Sequence, residues 1–207
     1  MTRPTRAEIA EQERCLLERQ GHFRLAADRM AGALAAHSFV DRVSLIGSVA
    51  APLSREVPRF VPYRRFGIEI VHECSDLDLA VWVSSLDNLA ALRRTRISVT
   101  QRLLGEAGIG IADHQIEMFL ITTGSRDRYL GRVCRFKCCP AGKPACQVEA
   151  CGAQPFLQQH EGFAFRLATL DVGACVTLFD RAEGGIVARA ADLPLVISDR
   201  GVGSRPR

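Results

Sequence analysis

Two apolar runs, one stopped by a glycine and one opened by acids, dominate the pattern of this chain. Val43-Ser44-Leu45-Ile46 is β-branched and apolar and halts at Gly47-Ser48, which predicts a buried strand ending in a tight turn. Asp76-Leu77-Asp78-Leu79-Ala80-Val81-Trp82-Val83 starts with alternating carboxylates and becomes continuously apolar. Alternate residues of a strand share a face, so Asp76 and Asp78 are expected to point one way while Leu77 and Leu79 enter the core. Residues 115 to 122 read as a third core strand, with Glu117 between Ile116 and Met118.

The remaining elements follow from helix and turn signals. Thr5-Arg6-Ala7-Glu8 has the form of a capping box and opens a polar helix to about Arg19, which Gly21 is expected to break. A second helix, about 23 to 36, carries Leu25, Met30, Ala33 and Leu34 at helical spacing. Residues 52 to 63, with Pro52, Pro58 and Pro62, predict a loop or edge hairpin, and 67 to 71 a further strand. A long helix is expected from 86 to about 106, started by Ser84 or Ser85 and ended by Gly108 and Gly110. Residues 125 to about 135 read as helical, and Cys175-Val176-Thr177-Leu178-Phe179 as the last strand. The expected fold is α/β (α+β): one domain over 1–207, with a small mixed sheet flanked by helices. Its core spans 40–122, a cysteine-rich insertion about 134–152, a closing strand about 175–181 and a loose tail 198–207.

Composition narrows the function class. The chain has 207 residues, 47% hydrophobic and 24% charged, the balance of an ordinary globular protein with one sizeable core. A formal charge of +4 permits contact with phosphates without itself arguing for nucleic acid. No apolar run reaches bilayer length and residues 1 to 14 lack a secretory apolar segment, so a cytoplasmic protein with no membrane partner is expected. Eight cysteines in a reducing compartment do not suggest a disulfide framework.

Two like charges a few ångströms apart both stay ionised when a cation lies between them, and Mg²⁺ takes carboxylate oxygens together with substrate phosphates. The Gly47-Ser48 turn after a strand, Asp76-Leu77-Asp78, and a further acid on a later strand together resemble the nucleotidyltransferase superfamily of DNA polymerase β. The resemblance covers about residues 43 to 122. The gap between Ser48 and Asp76 is longer than in minimal members, and the third acid is Glu rather than Asp, with Asp113 the substitute for Glu117. The resemblance implies that Asp76, Asp78 and Glu117 hold Mg²⁺ or Mn²⁺ and that Gly47 and Ser48 receive the phosphates of an NTP. It further implies transfer of a nucleoside monophosphate to a hydroxyl acceptor, which is unknown: a small molecule, a protein or an RNA end. Arginines 55, 59, 64 and 65 could screen the triphosphate or guide the acceptor, although a solvated face is the stronger reading.

Cys134, Cys138, Cys139, Cys146 and Cys151, followed by His160, are candidate ligands of a structural Zn²⁺. Cys139, Cys146 and Cys151 form the preferred set, with Cys138, Cys134 or His160 as the fourth. Three functions stay open at this point: the metal-dependent transferase, a non-catalytic nucleotide-binding regulator, and a zinc-stapled interaction protein. A homodimer or a partner chain is compatible with each.

Overall fold

Thr5 starts the first element. Its hydroxyl accepts the Glu8 N–H at 3.2 Å, and its own N–H donates to the Glu8 carboxylate at 2.7 Å, closing the expected box at the head of α1, Arg6–Ala35. The structure, a computed structural model, describes residues 2–123, 127–137, 153–159, 165 and 174–195. Contrary to the sequence reading, Gly21 does not break this helix. The buried stripe of Leu16, Gln20, Phe23, Ala26, Ala27, Met30, Ala31 and Leu34 runs across it. Packing that stripe outweighs the roughly 1 kcal/mol that a mid-helix glycine costs.

The chain then lays down β1 (Val40–Ile46), β2 (Arg55–Glu56), a short α2 (Val61–Arg65), β3 (Ile70–Val71) and β4 (Leu77–Val83). After these come α3 (Leu89–Ala107), β5 (Ile116–Thr122), β6 (Arg128–Val133), β7 (Leu157–Gln158), β8 (Cys175–Asp180) and β9 (Gly185–Ile186). The proline-rich stretch does form a small hairpin, in which β2 pairs with β3 antiparallel and α2 lies between them. Neither Ser84 nor Ser85 caps α3. Its N-cap is Asn88, which makes no side-chain capping bond, and Ser85 pairs instead with Asp87. The helix ends at Gly108, whose φ of +67° is the left-handed conformation glycine adopts without strain.

A second correction concerns 125 to 135, which is not helical where it is described. Residues 128 to 133 form β6, hydrogen-bonded to β5 and β7. Pairing on both sides satisfies its backbone, and Tyr129 and Val133 suit a pleated surface better than a helix.

Seven strands form one mixed sheet in the order β7-β6-β5-β4-β1-β8-β9. β4 and β5 run parallel with α3 as their crossover, and every other pair is antiparallel. α1 and α3 cover one face through Val43, Leu45, Leu77, Leu79, Val81, Ile116, Met118 and Leu120. The opposite face carries Ile46, Ala80, Trp82, Phe119 and Ile121, with Tyr129 and Phe165 against them. Strand alternation therefore sends Leu77 and Leu79 under the helices, as expected, and leaves Asp78 and Glu117 on the face without them. Among the described residues, no helix is long and apolar enough to cross a membrane.

Candidate functional site

The acids meet because two strands run parallel in one register. Asp78 on β4 stands directly opposite Glu117 on β5, and Ile46 at the end of β1 is the partner of Asp78 on its other side. Gly47 follows at once with a φ of +77°. A Cβ on this residue would lie 3.3 Å from Asp78 Oδ2. The turn therefore brings bare backbone against the carboxylate, an approach only glycine makes comfortably. Asp76, exposed just before β4, accepts the Ser75 hydroxyl at 2.9 Å.

Asp78 is the strained member electrostatically. Partial burial, then Glu117, then Asp76 push its carboxyl up to about 6, while Arg132 pulls the other way. Glu117 is hydrogen-bonded and ion-paired to Arg132, whose guanidinium also lies 5.7 Å from the centre of the Phe119 ring. Among the described residues, no three His, Cys, Asp or Glu side chains are grouped so as to hold a metal ion. The chemistry of the donor set nevertheless suits a hard cation: Asp76, which accepts only the neighbouring Ser75 hydroxyl, and Asp78, whose side chain takes no hydrogen bond among the described residues, both supply carboxylate oxygens.

Buried polar groups of α1 hold the Gly47-Ser48 turn from beneath. Arg24, 1% exposed, donates from Nε to the Val49 carbonyl at 3.1 Å and from Nη2 to that of Ala51 at 3.4 Å. Its Nη1 reaches the Leu193 carbonyl at 2.6 Å, and Gln20 Nε2 joins it on Ala51 at 3.1 Å. Cys74 is buried just before Asp76, and burial pushes its thiol above its ordinary range, with Ser48 pulling the other way. No motif marks Arg24 or Arg132. An arginine buried on a helix and one paired across strands carry no spacing signal.

Other expected site residues are dispersed. Asp113 lies outside β5, in a turn, 3.8 Å from Arg96 and 3.5 Å from Arg135. Arg55, Arg59, Arg64 and Arg65 are exposed, and Arg55 pairs with Glu13 of α1 at 2.7 Å. Of the proposed zinc ligands, Cys138, Cys139, Cys146, Cys151 and His160 lie outside the described residues. Cys134 is buried beyond β6, its sulfur accepting the Phe136 N–H at 3.4 Å. No protein-family model, curated protein or solved structure matches this chain.

Proposed function

We propose that the chain is a metal-dependent nucleotidyltransferase that moves a nucleoside monophosphate from an NTP to a hydroxyl acceptor. One observation carries the reading: the left-handed Gly47 turn lies against the Asp78 carboxylate, with Glu117 in register beside it. Phosphoryl transfer needs clustered carboxylates next to backbone that a polyphosphate can approach, and this end of the sheet offers both.

In this reading Asp76 and Asp78 hold Mg²⁺ or Mn²⁺, with Glu117 joining them on leaving Arg132. Such an ion, when bound, would offset the charge of the phosphates and lower the pKa of an attacking hydroxyl. Gly47 admits the triphosphate to the turn, and the Ser48 hydroxyl donates to a phosphate oxygen. Glu117, opposite Asp78, takes the proton of the acceptor hydroxyl. Arg24 and Gln20 keep the turn from collapsing as the phosphates enter.

A second reading rests on the Glu117–Arg132 pair: with Glu117 held by a cation of the protein's own, the chain would bind nucleotide and regulate rather than transfer. Calorimetry of ATP, GTP, CTP and UTP with Mn²⁺ tests both. Metal-dependent binding that Asp76→Asn/Asp78→Asn loses supports a nucleotide site, and release of pyrophosphate then separates transferase from regulator. Folded wild-type protein that binds none of the four would sink both readings.

A further inference from the structure

Two cavities open along the outer surface of α1 and meet over one glycine. The first, about 430 Å³, lies between α1 and α3 and is lined by Val99 and Leu103. The second, about 320 Å³, lies between α1 and the segment after β9 and is lined by Ile186 and Ala188. Asp28, Arg29 and Gly32 belong to both. Gly32 is exposed, and a Cβ there would meet no atom within 4 Å, so the helix carries a notch where the cavities join. Asp28 holds the far wall in place: its carboxylate accepts the Ala190 N–H at 2.6 Å and the Ala191 N–H at 3.1 Å. On that wall Ile186 stays 54% exposed. Three exposed arginines stand around the groove, Arg29 on α1, Arg102 on α3 and Arg189 after β9. Arg102 donates to the Ser98 hydroxyl at 3.3 Å, and among the described residues none of the three pairs with a carboxylate.

We propose that this groove docks an acidic amphipathic helix of a partner protein. A helix seated in a groove sets its apolar side chains at i, i+3, i+4 and i+7 against the floor. A glycine at the crossing lets the two helix backbones approach closely. Leu25, Val99, Leu103 and Ile186 offer the apolar surface that such a stripe covers. The rim sets the sign of the partner. With Asp28 occupied by backbone amides, Arg29, Arg102 and Arg189 stand against Glu106 alone. Carboxylates flanking the apolar stripe therefore meet cations from three separate elements. A nucleic-acid strand would reach the same arginines, but it brings no apolar side chains for the floor and would set phosphates against Glu106. The groove lies on the helical face of the sheet, away from Asp78 and Glu117, and stands apart from the transferase reading.

Fluorescence anisotropy with two labelled synthetic helices is the test, each of about 18 residues, or roughly five turns. Both carry leucine at the i, i+3, i+4 and i+7 positions; glutamate fills the other face of one and lysine that of the second. Wild-type protein should bind the glutamate peptide, more weakly as salt rises, and leave the lysine peptide free. Arg29→Glu/Arg189→Glu changes only exposed side chains and should bind the glutamate peptide about tenfold more weakly. Gly32→Leu fills the notch with a better helix former, so its melting temperature should not fall while it loses the peptide. No binding of the glutamate peptide, equal binding of both peptides, or undiminished binding by either variant would overturn the proposal. A single-stranded RNA oligonucleotide that wild type binds in preference to the glutamate peptide would overturn it as well, assigning the arginines to phosphates.

Discussion

Asp78 and Glu117 face each other across parallel strands, and the guanidinium of Arg132 is bonded to the second of them. Replacing Arg132 by Met leaves two carboxylates in register without that cation. We expect a loss of about 1 kcal/mol in metal-free buffer, discounted because both partners are partly exposed. Added Mg²⁺ should then raise the melting temperature of Arg132→Met more than that of wild type. Equal responses in a thermal scan would separate Arg132 from the metal site.

Gly47→Ala strains the turn in two ways: its φ of +77° suits glycine, and the new methyl would meet Asp78 Oδ2 at 3.3 Å. Backbone strain alone should cost about 1–2 kcal/mol. In chemical denaturation the double variant Gly47→Ala/Asp78→Ala should be less destabilised than the sum of its parts, by about 0.5 kcal/mol or more. Strict additivity would mean that the turn and the carboxylate are not in contact.

Gly21→Ala should have the opposite sign. A Cβ there meets no atom within 4 Å, and the backbone is helical. A gain of about 0.5–1 kcal/mol is expected, partly from a less flexible unfolded chain. Destabilisation would show that α1 bends at this glycine.

His37 makes stability depend on pH. Burial first, then nearby Arg94, holds its imidazole below the ordinary range, and Nε2 pairs with the Thr95 hydroxyl at 2.8 Å. The unfolded chain therefore binds the proton more readily, so stability rises with pH through this window and falls as pH drops below about 6.5. His37→Gln should flatten that slope in denaturant titrations run across the window, and an unchanged slope would place the titration elsewhere.

How much of this was legible beforehand differs between elements for physical reasons. β4 and β5 alternate apolar and acidic residues in their first turns of the pleat, so their faces could be read directly, and Gly47-Ser48 announced the turn. The continuity of α1 could not be read at Gly21, where local propensity says stop and only the buried stripe beyond it says continue. β6 misled because Arg128-Tyr129-Leu130-Gly131-Arg132-Val133 has no strong period of its own, and its conformation is imposed by the neighbours it pairs with. The arginines that shape the candidate site were invisible for a related cause. Arg24 and Arg132 act through carbonyls and carboxylates brought near by the fold, not through neighbours in sequence.

The position of β8 has a consequence for biosynthesis. β1 sits between β4 and β8, and the bond from Arg42 to Asp180 spans 138 residues. A chain emerging from the ribosome can therefore pair β1 with β4 early while its other edge waits for a partner translated much later. During that interval the exposed amides of Val40–Ile46 offer a template to any extended strand, including the same segment on a neighbouring nascent chain. Shortened forms that end before Cys175 would keep this edge open permanently, and the cell would meet them as substrates for chaperones and proteases.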